Sequence, residues 1–476
     1  MAIVTVVGAS AGSTINVTVD GAATGSLGTM ITQYSDVLAA GLASKSITGQ
    51  VLSQSSASSQ TLLRSVNTPT DSSSSTYGVI TTGGAYVVSG NTGYVTFGAP
   101  GDVSSNTLGE PVYIDVAGST AKQISVEGGS RNGAVLTAGS SGGTYVAGTG
   151  DNMFIGGTQS GASGWSVTTG DGNDTVIAGN GSNSIAAGAG ENTIILNNGL
   201  STVNSTGNDT IVGTASDQHV NLLGGKSTVQ IGSSAFVHDE SANNRITVGG
   251  ASTVLGGTTG TIALGGTSGT VAGGTNDTIS ASGDATVALT NGGSISTGGA
   301  LSFLNGTGQT TITAAGGTIF GAGGLDAITN STTTNPTASL MFVANSGNET
   351  LDGANSQNGL VAFGNTNLYS GSQVFIGGTA SDTLAAGVGD ATLTGGSGAS
   401  NVFAFRDGVA GGNYTITDFN AASGNVVFLY GYGANEVQNA LGTAQATGGS
   451  TTIQLSDNSR ITFQNVTSLN QSDFFA

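Results

Sequence analysis

Hydrophobic and polar positions between residues 148 and 196 follow a nine-residue period, which returns between residues 377 and 403. The first stretch aligns two sets of glycines and one set of β-branched residues: Gly170, Gly179 and Gly188; Gly172, Gly181 and Gly190; Val176, Ile185 and Ile194. The second aligns Gly378, Gly387 and Gly396 with Leu384, Leu393 and Val402. A short fixed period with one inward apolar residue per unit is typical of stacked β-coils.

The stretch 77–400 consists of short apolar triplets separated by Gly-rich turns, as in Thr144-Tyr-Val-Ala. Such strands are too short for an ordinary sandwich, whereas stacked coils pair each strand only with its neighbours. The pattern predicts an all-β protein, a parallel β-roll or β-helix solenoid with about 18 to 20 residues per coil.

The two ends of the chain have different patterns. Residues 1–21 alternate as strands, with a turn at Asp20-Gly21, and apolar spacings of three and four between Leu27 and Leu42 predict an amphipathic helix. A Ser/Thr-rich linker ends at residue 76, so residues 1–76 form a predicted capping or assembly module. Residues 401–476 are rich in aromatic residues and form a predicted β cap, with a hairpin about Asp457-Asn458.

Composition narrows the functional classes. Glycine accounts for 83 of 476 residues, cysteine is absent, and the formal charge is -19. No basic stripe is present to neutralise phosphates, so nucleic acid is not an expected partner. No apolar run reaches the roughly 20 residues of a membrane helix, so we expect no membrane span.

A short motif of Asn or Ser, Asp, Thr and a branched apolar residue ends at Val176, Ile211, Ile279 and Leu384. Preceding glycines allow positive φ, Asp closes the turn, and the branched residue faces the core. An Asp at such a turn either caps the backbone or binds a cation. Four copies favour the cation.

The nine-residue runs resemble the Gly-Gly-x-Gly-x-Asp-x-hydrophobic-x repeat of RTX (repeats-in-toxin) proteins, of the surface-layer and matrix-adhesin kind. The resemblance implies a β-roll that binds Ca²⁺ between successive turns, with Asp174 and Asp382 at the Asp position; Ala391 and Ser400 leave that position empty. The candidate metal ligands are Asp151, Asn152, Asp171, Asp174, Asn183, Asn192, Asp209, Asp277, Asp382 and Asp390. Because Asn brings no charge, we expect few sites, with Kd about 0.1 to 1 mM, filled only outside a cell.

The sequences of the two termini are used to predict where the protein is located. The first residues lack the positive region of a cleaved signal peptide. The closing Ser472-Asp-Phe-Phe-Ala resembles the uncleaved signal of type I secretion substrates, and a capping strand would have the same composition. We expect export by type I secretion machinery and an extracellular or cell-surface location.

Catalytic residues are scarce. His219 and His238 are the only histidines, and neither belongs to a metal motif or to a nucleophile–base pair. The basic residues needed by a polysaccharide lyase do not lie in an Asp-rich, aromatic-lined stretch. Trp165, the single Trp, is expected to fill the core, with a sugar platform or an interface anchor as alternatives. Threonine ranks for ice or sugar binding do not persist at a fixed period. The protein is therefore not expected to be an enzyme.

The sequence favours a secreted structural protein that polymerises with itself, assisted by calcium, into an extracellular fibre or a surface lattice or biofilm matrix. The alternative is a monomeric calcium-dependent adhesin or carbohydrate-binding matrix protein, with cell-surface polysaccharide as its partner.

Overall fold

The computed structural model describes residues 2–7, 14–19, 76–80, 83–98, 108–109, 111–304, 306–321, 325–330, 339–344, 346–366, 371–397, 400–408 and 411–475. These residues are nearly all β and form a parallel β-solenoid, which confirms the predicted fold class. The predicted helix between Leu27 and Leu42 and the turn at Asp20-Gly21 lie outside the described residues. The predicted boundaries at residues 76 and 400 stay predictions.

The chain divides into two compact units, residues 1–245 and 246–476. The strands of the first unit are β1 Ala2–Val7, β2 Thr14–Val19, β3 Thr76–Ile80, β4 Gly84–Gly90, β5 Thr92–Phe97, β6 Val112–Ser119, β7 Gln123–Gly128, β8 Ala134–Thr137, β9 Gly142–Ala147, β10 Met153–Ile155, β11 Trp165–Thr168, β12 Thr175–Ile177, β13 Ser184–Gly188, β14 Thr193–Leu196, β15 Thr202–Ser205, β16 Thr210–Gly213, β17 His219–Leu222, β18 Thr228–Ile231 and β19 Phe236–Ala242. Strand β20, Arg245–Val248, contains the division.

From β3 onward the first unit is built as two parallel ladders. Odd-numbered strands β3 to β19 pair in succession, and so do even-numbered strands β4 to β18. Each coil therefore contributes one strand to each ladder. Val167 lies beside Ile185 one coil later, a separation of 18 residues that agrees with the predicted coil length.

Strands β1 and β2 form an antiparallel pair, with Ala2 opposite Val19 and Val7 opposite Thr14. This pairing confirms the strands predicted within residues 1–21.

The second unit repeats the two-ladder plan. Its strands are β21 Ser252–Thr258, β22 Thr261–Leu264, β23 Gly269–Ala272, β24 Thr278–Ala281, β25 Ala285–Ala288, β26 Asn291–Thr297, β27 Ala300–Leu304, β28 Thr307–Ala314, β29 Gly316–Phe320, β30 Leu325–Asn330, β31 Leu340–Val343, β32 Glu349–Asp352, β33 Leu360–Phe363, β34 Gln373–Ile376, β35 Thr383–Ala385, β36 Ala391–Thr394, β37 Val402–Arg406, β38 Asn413–Ile416, β39 Val426–Tyr430, β40 Gln445–Thr447, β41 Ser450–Gln454, β42 Arg460–Phe463 and β43 Phe474–Phe475. The odd ladder runs in parallel from β21 through β39 and ends with β43. The even ladder runs in parallel from β22 through β38 and ends with β42.

The last coil is closed by antiparallel strands and a helix. Strand β41 pairs antiparallel with both β40 and β42. The turn between β41 and β42 contains Asp457 and Asn458, and Asn458 adopts a φ of 71°, so the predicted hairpin is confirmed. Helix α1, Glu436–Gly442, buries Val437 and Ala440. Short 3-10 turns occur at Ala421–Ser423 and Gln471–Asp473.

The core is formed by the inward residues of each strand, one or two per strand as at Val220 and Leu222, because alternate residues of a strand point to opposite faces. The predicted inward residues Val176, Ile185, Ile194, Leu384 and Leu393 are all buried.

The predicted inward position of Val402 is wrong, because Val402 is half-buried on the outer face and Phe403 fills the core. The turn before β37 has gained one residue relative to the nine-residue period, and a one-residue shift moves a side chain to the other face.

Candidate metal sites

Four predicted ligands of the first unit form one buried column: Asn152, Asp174, Asn192 and Asp209. Each lies just before an even-numbered strand, and its Oδ1 accepts a backbone N–H from the preceding coil. The N–H of Asn152 reaches Asp174 at 2.7 Å, that of Asp174 reaches Asn192 at 2.8 Å, and that of Asn192 reaches Asp209 at 3.1 Å. These side chains therefore join successive coils.

The column extends in both directions to residues that the sequence had not indicated. Asn152 Oδ1 accepts from the N–H of Ala134 at 3.0 Å. At the other end, the N–H of Asp209 reaches Ser227 Oγ at 3.1 Å, and the N–H of Ser227 reaches Asn244 Oδ1 at 2.6 Å. Because Ser replaces Asp or Asn here, the residue type varies while the bond between coils persists.

The amide nitrogen of Asn152 lies among oxygens of the turn. Its Nδ2 donates to the carbonyls of Gly148, Gly150 and Thr169 at 3.1, 2.6 and 2.9 Å, and to Asp174 Oδ1 at 3.1 Å. An amide thus occupies the place where a cation would meet turn carbonyls.

Asn183 repeats this arrangement on the opposite column of turns, before an odd-numbered strand. Its Nδ2 donates to Gly179 and Gly181 carbonyls at 3.1 and 2.6 Å, and its Oδ1 accepts from the N–H of Trp165. The sequence Gly-x-Gly-x-Asn therefore builds a turn that its own amide satisfies. Asn183 is not in the Asn152 column.

Asp174 differs, because its second oxygen takes the place of the amide nitrogen. Asp174 follows Gly170 and Gly172 as Asn152 follows Gly148 and Gly150. Its Oδ2 is buried and accepts no hydrogen bond, and the hydroxyl of Thr169 donates to the carbonyl of Ala187 instead. Burial raises the pKa of Asp174 to about 7, against the opposing effects of the nearby Thr169 hydroxyl and the Asn152 donors, which stabilise the carboxylate; the charge of Asp151 adds a small further increase. A proton or a cation bound at Oδ2 would neutralise this buried negative charge.

Two other buried aspartates among the predicted ligands accept hydrogen bonds from neighbouring residues. Asp209 Oδ2 accepts from the hydroxyl of Ser205 at 2.6 Å. In the second unit, Asp277 Oδ1 accepts from the N–H of Gly260 at 2.7 Å.

Asp382 in the second unit accepts from Leu360 through Oδ1 at 2.8 Å and from Gly378 through Oδ2 at 2.7 Å. Burial raises the pKa of Asp382, against these two hydrogen bonds. The N–H of Asp382 reaches Asn401 Oδ1 at 2.9 Å, and the N–H of Asn401 reaches Asn425 Oδ1 at 3.0 Å. The expectation that Ser400 leaves this position empty is therefore wrong, since the inserted residue moves Asn401 into it.

The remaining predicted ligands lie at the outer edge of the turns. Asp151 Oδ1 accepts from the N–H of Asn173 at 2.9 Å, and Asp390 Oδ1 accepts from the N–H of Asn413 at 2.8 Å. Asp171 is exposed, and its backbone carbonyl accepts from Gly150. These residues also connect neighbouring coils.

The donor set fits a cation best at the Asp174 turn. In the part of the chain that the structure describes, no three His, Cys, Asp or Glu side chains come together as a metal cluster. Calcium takes six to eight oxygen ligands. Asp174 Oδ2 would supply one carboxylate oxygen, and the spacing shared with Asn152 makes the carbonyls of Gly170 and Gly172 the expected further ligands. Water would complete such a site.

Trp165 and the two histidines, whose side chains could serve in binding or catalysis, lie beside other side chains of the solenoid. Trp165 is buried, packs on Phe154 at 5.4 Å between ring centroids, and donates through Nε1 to the carbonyl of Ser141. Its predicted place in the core is confirmed. His238 Nδ1 lies 3.6 Å from Glu240 Oε1 on a solvated strand, and the His219 ring packs against Phe236.

The structure places Thr261, Thr278, Ser294 and Thr311 beside one another on consecutive coils, all exposed. Their separations are 17, 16 and 17 residues, so this rank was not visible as a fixed period. The rank agrees with the expectation that no hydroxyl rank persists at a fixed period, and it arises only where the coils pair.

No protein-family model, curated protein or solved structure matches this chain. Among the described residues, no helix is both long and apolar enough to cross a membrane.

Proposed function

We propose that the protein is a secreted structural protein whose solenoid subunits assemble with one another into an extracellular fibre or surface lattice. Export would use type I secretion machinery, as the RTX resemblance implies. In this proposal the outer faces of the coils make the contacts between subunits, and the turns hold successive coils together.

The observation that carries the proposal is the column from Asn152 to Asn244. The polar residues of the repeat donate and accept hydrogen bonds along the stack, at 2.6 to 3.1 Å between coils. Buried hydrogen bonds of this kind make each coil depend on its neighbours. Such an arrangement supports a mechanical role, because the repeated polar positions are used for cohesion.

Calcium enters the proposal at the Asp174 turn. The buried Oδ2 without a donor supports a cation at this position, while the amides of Asn152 and Asn183 satisfy their own turns. We therefore propose that calcium reinforces an already connected stack at few positions. At a formal charge of -19, bound cations would also reduce repulsion between subunits.

A monomeric carbohydrate-binding matrix protein is the second candidate. The exposed rank of Thr261, Thr278, Ser294 and Thr311 favours it, because hydroxyls at the strand spacing of about 4.8 Å offer regular hydrogen-bonding partners to an extended glycan. Cell-surface polysaccharide would be its partner.

Electron microscopy and analytical ultracentrifugation of the purified full chain, with calcium and with chelator, test the proposal. Ordered particles much larger than the 45.9 kDa subunit support assembly. A monomer under all conditions overturns it. A monomer that binds neutral glycan, and loses that binding when Thr278 and Ser294 are replaced by lysine, supports the second candidate.

A further inference from the structure

An apolar stripe runs along the outer face of the odd ladder in the second unit. We define the stripe as the outward residues that the parallel register places side by side on successive strands from β27 to β43: Leu304, Phe320, Val343, Phe363, Ala385, Ala404, Phe428 and Phe475. Phe363 is 41% exposed and Phe475 is 57% exposed. Large side chains exposed on one continuous face mark an interaction surface.

The neighbouring outward positions, two residues earlier on the same strands, widen the stripe. From β31 to β39 they are Met341, Val361, Thr383, Val402 and Val426. Neither these positions nor the stripe carries a charged residue, in a chain with a formal charge of -19. Two acidic subunits approach each other with least repulsion through such a face.

We infer that the stripe pairs laterally with the same stripe of a second copy of this chain. This inference rests on the proposed self-assembly and assigns one of its contacts. Sheets with apolar outer faces pack face to face, about 10 Å apart. A shared contact between identical surfaces is two-fold symmetric, and a two-fold axis perpendicular to the stripe makes the two stripes run antiparallel.

The shape of the stripe is self-complementary in that arrangement. Bulky residues lie towards both ends, and Ala385 and Ala404 form a low region between them. With the two-fold axis at Ala385, Phe363 faces the second copy's Ala404, and Phe320 faces the second copy's Phe475. The Phe363 ring of one copy thus enters the low region of the other, and the rings of Phe320 and Phe475 meet at the two ends of the contact.

The size of the stripe matches a reversible contact. With the axis at Ala385 the two copies overlap from Phe320 to Phe475, and six steps between strands of about 4.8 Å give a length of roughly 29 Å. With a width of about 14 Å for two columns of side chains, each copy buries roughly 400 Å², so the pair buries about 800 Å². This area is below that of a stable specific interface and is typical of a weak contact. A pairing of this size suits subunits that other contacts also hold together.

Crosslinking provides the first arm of the test, because the chain has no cysteine. Ala385→Cys lies at the proposed axis and Thr311→Cys lies on the even ladder of the same unit, where Thr311 is exposed. With a short bismaleimide and excess chelator, Ala385→Cys is expected to give a covalent dimer at least tenfold more abundant than Thr311→Cys. Equal yields overturn the pairing.

Sedimentation equilibrium provides the second arm. Phe363→Lys is expected to raise the Kd for dimerisation at least tenfold, while Leu223→Lys, at an exposed apolar residue of the first unit, leaves it unchanged. Circular dichroism and thermal unfolding establish that both variants fold.

The outcomes separate this inference from the proposed function. If Phe363→Lys retains wild-type dimerisation, or if large polymers form without crosslinking at Ala385, the stripe pairing is wrong and self-assembly stands. A wild-type monomer at all concentrations overturns both. A monomer that binds neutral glycan through Phe363 overturns the pairing and assigns the stripe to glycan.

Discussion

The Oδ1 atom of Asp174 accepts the backbone N–H of Asn152 at 2.7 Å, across the boundary between two coils. One carboxylate oxygen is thereby fixed in the stack, and the other is buried without a hydrogen-bond donor. The same residue thus joins two coils and holds the carboxylate oxygen at which we propose that a cation binds.

We expect Asp174→Asn to stabilise the protein at alkaline pH. Burial raises the pKa of Asp174 to about 7, against 3.8 in the unfolded chain. A raised carboxyl pKa means that the folded state binds the proton more tightly, so its stabilising contribution is complete below pH about 4 and lost as pH rises through 7. An Asn amide has no such dependence and can donate to the turn carbonyls.

Urea unfolding of both proteins between pH 4.5 and 8.5, in chelator, measures this difference. The variant is expected to exceed the wild type by about 2 to 4 kcal/mol at pH 8.5, and by much less at pH 4.5. A difference that does not change with pH would show that the carboxyl is not the titrating group.

Calcium is expected to stabilise the wild type and not Asp174→Asn. The cation would replace the proton at Oδ2, so its effect should increase above pH 7. At a calcium concentration ten times the Kd, the gain is about 1.4 kcal/mol. Calorimetric Tm values with calcium, with magnesium and with chelator measure it. Equal calcium effects on both proteins would place the ion elsewhere.

Asn192→Ala is expected to lower the free energy of unfolding by about 2 to 4 kcal/mol, because it leaves buried polar groups without partners. Asn192 accepts from the N–H of Asp174 and donates to Asp209 Oδ1, and it is 1% exposed. Asn173 is the matched control, because it accepts from the N–H of Glu191 at 2.8 Å on the exposed edge. Asn173→Ala should cost less than 1 kcal/mol, since water replaces the lost acceptor. Chemical denaturation compares them, and equal losses would contradict a buried role for the column.

Gly188→Ala is expected to disrupt the stack more than Gly161→Ala, although both glycines have a φ near 78°. A Cβ at Gly188 would lie 1.8 Å from the carbonyl oxygen of Gly170 in the adjacent coil, whereas a Cβ at Gly161 meets nothing within 4 Å. Gly161→Ala is the control, and it should lower the free energy of unfolding only by the backbone strain of about 1 to 2 kcal/mol that a Cβ causes at positive φ. Thermal unfolding and hydrogen exchange at β12 to β14 measure the difference. Similar Tm values for the two variants would mean that the coils can separate at little cost.

The ten candidate ligands were identified by residue type and turn position, and this information was sufficient to find buried column positions such as Asp174. It was not sufficient to distinguish an aspartate with a free oxygen from one with both oxygens engaged. Ser205 and Gly378 supply the donors to Asp209 and Asp382. These donors come from the same turns, and no residue pattern alone specifies where their hydrogens point.

The sequence by itself determined that the chain winds into stacked parallel coils, because alternation and glycine spacing are properties of neighbouring residues. It also determined the inward residues wherever the period was regular, as at Ile185 and Ile194. Tertiary structure alone decided what meets across coils. The step from Leu304 to Phe320 spans 16 residues, and the step from Phe428 to Phe475 spans 47. Coils pair through backbone hydrogen bonds, and this pairing does not depend on the length of the intervening turn. The residues of the apolar stripe and of the hydroxyl rank are therefore not separated by a fixed number of residues in the chain.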